Sequence, residues 1–182
     1  MVVYGMEGLR ERRQAYDLLA AAAKEYWGLS PLPPMERGEK GKPSFLGEVG
    51  REFNLTHSGS LALCALDSAP VGVDIQIIKT WRPSLPGRVC APEELAWLEA
   101  GEDRWARFTQ LWALKECRVK YSGEGLTRSI ADIRVPLPAN GREGCVLDGL
   151  CYRVYQGEGW RAAVCGRTTP PERIQWITSQ MS

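Results

Sequence analysis

The stretch from Arg104 to Tyr121, "RWARFTQLWALKECRVKY", restricts the fold of this chain more than any other. At 100° per residue it puts Trp105, Phe108, Leu111, Trp112 and Val119 on one stripe, which predicts a long helix with a core-facing side. Asp103 stands as its N-cap and Gly123 as its stop. Lys115 falls inside the apolar stripe and Glu116 on its margin, with Lys120 one turn beyond Glu116 at i, i+4. A surface salt bridge beside the core would contribute at most about 1 kcal/mol. That reading fits poorly, because these charges interrupt the apolar face instead of lying opposite it. Charges near a core are costly when unpaired, so they require fixed partners.

Upstream, Leu61 to Leu66 and Val71 to Ile78 read as two strands joined by the turn "DSAP". The second, "VGVDIQII", is apolar except at Asp74 and Gln76, which are two apart and so project from one face. Gly8 to Trp27 reads as a helix with Leu9, Ala15, Leu18, Leu19, Ala22 and Tyr26 as its stripe. Its first turns carry Arg10, Arg12 and Arg13 against the helix dipole, which marks either a solvated face or an anion site. Between helix and strands, "GLSPLPPMERGEKGKPSFLG" is a loop that sets Lys40 and Lys42 around a glycine.

Downstream of the strands, a Pro-rich linker enters a short helix opened by Pro92, Glu93 and Glu94. After the long helix, "CVLDGLCYRVYQGEGWRAAVCG" reads as a strand meander that turns at Asp148-Gly149 and again at Gly157 to Gly159. The polar tail from Arg167 is expected to be loosely held. This order predicts an α+β fold of two halves packed together, 1–80 and 81–166, followed by the tail 167–182.

Composition narrows the function classes. A chain of 182 residues with 44% hydrophobic content buries one full core. A net charge of +1 provides no global basic field for nucleic acid or a membrane surface. The first residues lack the order of a signal peptide, and "LLAAAA" is too short to span a bilayer. Six cysteines without a Cys-x-x-Cys pair, beside a single histidine, argue against zinc and against a disulfide framework. A cytoplasmic protein with reduced thiols is expected.

The ligand chemistry follows from residue type. Asp74 and Glu116 are hard oxygen ligands suited to Mg²⁺, which keeps several waters and also binds substrate phosphates; Mn²⁺ accepts the same ligands. Arg12, Arg13, Lys40, Lys42, Lys115, Lys120 and His57 supply cationic or hydrogen-bonding groups for phosphate oxygens. Without an evident Cys-His or Ser-His pair, the set points to Mg²⁺-assisted phosphoryl-type transfer.

"FNLTHS", "VGVDIQ" and "LWALKECRVKYSGEGL" resemble the signature segments of the 4′-phosphopantetheinyl transferases. "KGKP" resembles a further motif of their larger, surfactin-synthetase-activating type. The resemblance implies two similar α+β halves with coenzyme A in the cleft between them. It implies an enzyme, a holo-acyl-carrier-protein synthase, that moves phosphopantetheine onto an apo carrier-protein serine and releases 3′,5′-ADP. Carried over by position, Asp74 and Glu116 would hold Mg²⁺, with Gln76 as a neutral third ligand or through water. Glu116 would take the serine proton and Lys120 would steady the pyrophosphate. Lys42, Thr56, His57 and Arg12 would contact coenzyme A phosphates.

There are departures. Many bacterial members carry Asp-x-Glu on the strand, where this chain has Gln76. The small trimeric type of the family is about half this length, so a monomer is expected. The rival reading is a coenzyme A or nucleotide-binding module that keeps the cleft without turnover. A structural domain with incidental ion pairs is the third.

Overall fold

Val2–Glu7 enters at once as a strand, β1, which the apolar pattern of the first residues did not announce. In the computed structural model, which describes residues 1–125, 129–137 and 144–177, helix α1 (Gln14–Trp27) follows. Next come strands β2 (Met35–Arg37), β3 (Pro43–Phe45), β4 (Glu52–Ser58), β5 (Leu61–Asp67) and β6 (Val71–Ile77). Short helices α2 (Pro86–Val89) and α3 (Pro92–Glu99) lead to the long helix α4 (Arg104–Ser122). A 3-10 turn at Ile130–Asp132 precedes β7 (Gly144–Leu147), β8 (Leu150–Gly157), β9 (Trp160–Gly166) and β10 (Gln175–Ile177).

Two four-stranded sheets, in the orders β10-β1-β5-β4 and β6-β9-β8-β7, carry the fold, and β2 and β3 form a separate hairpin. The turn after Asp67 moves the chain from one sheet to the other, so β5 and β6 are not a hairpin although they are neighbours in sequence. Apolar alternation on each strand builds the layers. One face of the first sheet, with Phe53, Cys64 and Leu66, packs under Leu18, Leu19 and Ala22 of α1. Its other face, with Val3, Leu63 and Ala65, meets Val71, Val73 and Ile75 of the second sheet. The outer face of the second sheet packs under Phe108, Leu111, Leu114 and Cys117 of α4. Each fully buried leucine contributes about 1.5–3 kcal/mol. The result is an α+β fold in four layers: helix, sheet, sheet, helix.

Two expectations are corrected. Helix α1 begins at Gln14, not Gly8: Gly8 has φ +80°, Leu9 donates its N–H to the Ser60 carbonyl, and the arginines lie in the turn ahead of the helix. The tail is not loose through residue 177. The Thr168 hydroxyl donates to Asp67, and the Pro170 and Pro171 carbonyls accept from Arg153 at 3.2 Å and Tyr155 at 2.6 Å. β10 pairs parallel with β1, and the Trp176 ring fills the space over Gly5, where a Cβ would come within 2.5 Å of it. The tail carries few apolar residues, but Trp176 anchors it.

Candidate active site

The two halves meet where the edge strands β4 and β6 run side by side. An edge strand exposes a row of unpaired N–H groups. Here the alternate side chains of β4 satisfy that row: Asn54 accepts from Val73 N–H at 2.9 Å, Thr56 from Ile75 at 3.4 Å and Ser58 from Ile77 at 3.1 Å. The polar residues of "FNLTHS" therefore stitch one sheet to the other, and His57 is left on the opposite face of β4.

Gly72 sets the second contact. A Cβ built on it would lie 2.0 Å from the Cys117 carbonyl oxygen and 2.7 Å from the Tyr121 nitrogen, so the backbone of α4 rests directly on β6. A glycine inside a strand marks such close approaches. Gly72, Asp74 and Gln76 share one strand face, and α4 lies over it, which brings the helix to the Asp74 carboxylate.

Asp74 is 2% exposed and fully engaged. Its Oδ1 accepts from Lys120 Nζ at 2.6 Å and from the Thr56 hydroxyl at 3.0 Å. Its Oδ2 accepts from the Gln76 amide at 2.8 Å. Lys120 also donates to Thr56 Oγ1 at 3.1 Å. Burial and then the Asp74 charge push the Glu116 carboxyl above its ordinary range, with Lys120 partly opposing the shift. Glu116 stands one turn before Lys120 on α4, the helix that covers the Asp74 face of β6, and a shared cation would relieve the repulsion between the two carboxylates.

His57 is held below the usual imidazole range, first by desolvation and then by two cations, Arg12 and Lys120. Arg13 is engaged with Glu11 at 2.7 Å, so it is Arg12 whose field reaches the histidine. Lys42 Nζ donates to the Tyr121 carbonyl at 3.2 Å and more weakly to that of Val71 at 3.4 Å, and burial lowers its ammonium from the ordinary lysine value. Its stem borders Gly123, as the Lys40 stem borders Gly125, at positions with φ +70° and +66° where a side chain would be strained. Lys40, Lys42, Asn54, Leu55, Lys120 and Gly125 line a groove of about 220 Å³ between the halves.

Of the residues singled out from the sequence, Asp74, Gln76, Thr56 and Lys120 form one hydrogen-bonded cluster, and Glu116 adjoins it. Lys40 and Lys42 border the groove, while His57, exposed on β4, is within electrostatic reach of Arg12 and Lys120. Lys115 is not among them. It is 2% exposed and pairs with Glu94 Oε2 at 2.7 Å, away from the groove. Thr56 is 6% exposed, and its hydroxyl serves Asp74 and Lys120. Sequence reasoning missed Asn54, Ser58, Gly72 and Glu94. The alternation of polar residues in "FNLTHS" and the lone glycine in "VGVDIQ" were the available signals for the first three.

The donor set fits a divalent ion that takes much of its shell from substrate. Mg²⁺ is bound through one or two carboxylates plus phosphates and waters. Asp74 and Glu116 are two such carboxylates, and among the described residues no cluster of three or more His, Cys, Asp or Glu side chains gathers. Also among the described residues, no helix is long and apolar enough to cross a membrane.

A family profile described as ACPS, 4′-phosphopantetheinyl transferase superfamily, matches residues 70–165. A 4′-phosphopantetheinyl transferase of Bacillus subtilis is 33% identical over 81% of this chain and 70% of its own length. The 4′-phosphopantetheinyl transferase AcpT of Salmonella typhimurium is 41% identical over 69% of this chain and 68% of its own. That of Escherichia coli K12 is 38% identical over 94% of this chain and 89% of its own. The chain belongs to the 4′-phosphopantetheinyl transferase superfamily and is an enzyme of that family.

Proposed function

We propose that this chain transfers the 4′-phosphopantetheine group of coenzyme A to a serine of an apo carrier protein and releases 3′,5′-ADP. The observation that carries the proposal is the hydrogen-bonded cluster of Lys120, Asp74 and Thr56, with Glu116 one turn before Lys120 on α4 and Lys120 itself lining a lysine-bordered groove between the two halves. Two carboxylates beside cations suit a pyrophosphate brought in with a divalent ion.

Each residue then has a task. Lys40 and Lys42 along the groove, together with Arg12 and His57, hold the phosphates of coenzyme A. Lys120 has three N–H donors. Two meet Asp74 and Thr56, and the third would meet a pyrophosphate oxygen as charge develops there. Glu116, whose carboxyl is pushed upward by burial and by Asp74, accepts the proton of the incoming serine hydroxyl. The serine oxygen forms its bond to the phosphopantetheinyl phosphorus as the bridging P–O bond breaks, and the electrons leave with 3′,5′-ADP. Asp74 and Glu116 would hold Mg²⁺, or Mn²⁺, which supplies charge neutralisation on the pyrophosphate. Gln76 keeps the Asp74 carboxylate in orientation rather than adding a third charge.

One chain supplies both α+β halves, which divide at the turn after Asp67 and not near residue 80, because β6 pairs with β9 in the second sheet; this supports the larger type of the family working as a monomer, and a cytoplasmic location is part of the same proposal. The test is to incubate the protein with Mg²⁺, coenzyme A and a panel of apo acyl, peptidyl and aryl carrier proteins. A gain of the phosphopantetheine mass on the carrier serine is expected. Tight coenzyme A binding with no transfer to any carrier would instead establish a binding module.

A further inference from the structure

Lys115 stands immediately before Glu116 in α4 and Cys117 immediately after it. At about 100° per residue these neighbours project to nearly opposite sides of the helix. Both sides are pinned. The Cys117 carbonyl rests against Gly72 of β6. Lys115 Nζ donates to Glu94 Oε2 at 2.7 Å and to the Ile130 carbonyl at 2.8 Å. Glu94 Oε2 also accepts the Ala91 N–H at 2.7 Å, so one ammonium ties α4 to the start of α3 and to the 3-10 turn.

The surroundings make an ion pair an odd choice for stability alone. Phe108, Leu111, Leu114 and Leu98 form a fully buried cluster there. Apolar residues of similar volume stabilise such a site as well as a buried ion pair does, or better. The ion pair differs in direction. Apolar contacts tolerate a helix rolling about its axis, whereas two hydrogen bonds to a fixed carboxylate and a fixed carbonyl do not.

We propose that the Lys115–Glu94 pair is a positioning device that sets the roll of α4 and so aims Glu116 at Asp74. Neither residue touches substrate; both act through Glu116. The inference rests on the reading of Asp74 and Glu116 as the holders of a divalent ion.

The experiment compares wild type, Glu94→Gln and the double variant Glu94→Leu/Lys115→Met. Three quantities are measured: thermal midpoint, affinity for Mn²⁺ with coenzyme A present (from free Mn²⁺ by electron paramagnetic resonance), and single-turnover transfer rate. The double variant is expected to keep the wild-type midpoint or exceed it. Its Mn²⁺ affinity and transfer rate should each fall at least tenfold, with metal-free coenzyme A affinity within twofold of wild type. A folded double variant with Mn²⁺ affinity and rate within twofold of wild type overturns the proposal. So does a loss confined to metal-free coenzyme A affinity, which would make Lys115 a phosphate contact. Should the double variant fail to fold, Glu94→Gln, which keeps an oxygen for the Ala91 N–H, decides on the same readouts, with at least a threefold loss of Mn²⁺ affinity expected. If wild type binds Mn²⁺ and coenzyme A but modifies no carrier, the transferase reading fails, and the Mn²⁺ measurement still judges the pair.

Discussion

Lys120 Nζ lies 2.6 Å from Asp74 Oδ1, on the oxygen that also accepts the Thr56 hydroxyl. The lysine is 28% exposed at its side chain and the aspartate almost fully buried, so the contact is the main route by which the Asp74 charge is balanced in the metal-free protein. Lys120→Met leaves that carboxylate with neutral partners only. Since one partner is partly solvated, the loss should be below that of a fully buried pair, about 2 kcal/mol in urea denaturation. Transfer should fall by about 10²–10³, the cost of one donor to developing charge. An unchanged urea midpoint would show that the pair contributes nothing.

Gly72→Ala probes the close approach of α4. The new methyl would meet the Cys117 carbonyl at 2.0 Å and the Tyr121 nitrogen at 2.7 Å, both backbone atoms that cannot rotate away. The helix must lift from β6, and overpacking of this kind costs about 1–3 kcal/mol. A lifted helix withdraws Glu116 and Lys120 from Asp74 together. A drop in thermal midpoint accompanied by at least a hundredfold loss of transfer is expected. Full activity would mean that the approach is incidental.

The residues of the candidate site stand out in the sequence where charges break an apolar pattern. Asp74 interrupts a strand, and Glu116 and Lys120 margin a helix stripe; each pattern is local and each break was visible. The bounds of α4 were readable for the same reason: Asp103 accepts the Ala106 N–H at 2.9 Å, and Gly123 ends the helix at φ +70°. Lys115 shows where this reading stops. Its interruption of the stripe was as plain as the others, but its partner, Glu94, lies on another helix, and nothing local shows whether a buried lysine faces a groove or a carboxylate. The tail failed for a related reason: β10 is three residues long and held by its pairing with β1, at the other end of the chain. The arginines before α1 looked like helix residues because the apolar spacing extends through Leu9, whereas the backbone at Gly8 had already turned.

Glu116→Gln tests the pH behaviour of the site. Burial and the Asp74 charge raise the Glu116 carboxyl above its ordinary value of 4.5. The folded protein therefore holds this proton where the unfolded chain has released it. The stability this gives is full below 4.5 and is lost as pH rises through the folded value. Metal-free wild type should show a thermal midpoint that declines across that window, and the glutamine variant should lack this part of the slope. With a general base removed, transfer falls by about 10²–10⁴. Identical midpoint profiles for the two proteins would remove Glu116 from the neighbourhood of Asp74.

His57 and Arg12 separate binding from chemistry. The imidazole is kept short of a proton by burial and by the charges of Arg12 and Lys120. His57→Ala and Arg12→Ala should each weaken coenzyme A about tenfold, the loss expected for one hydrogen bond to a charged group, with kcat within threefold of wild type. Arg13→Ala, whose guanidinium engages Glu11, should leave coenzyme A affinity unchanged. Calorimetric titration of coenzyme A distinguishes these outcomes, and equal effects of Arg12 and Arg13 would contradict the assignment.

Gln76→Glu asks what a third acid would do. The amide of Gln76 now donates to Asp74 Oδ2 at 2.8 Å. A carboxylate in its place cannot donate, and it sets a second negative charge beside one that is almost fully buried. Without a divalent ion the variant should melt lower than wild type. With one, the added hard oxygen donor should tighten binding, by about tenfold for Mg²⁺ if the interaction gains about 1.4 kcal/mol. The two effects have opposite signs, so a thermal midpoint measured across a Mg²⁺ titration should start below the wild-type curve and rise more steeply. Curves that coincide at every Mg²⁺ concentration would put residue 76 outside the metal's reach.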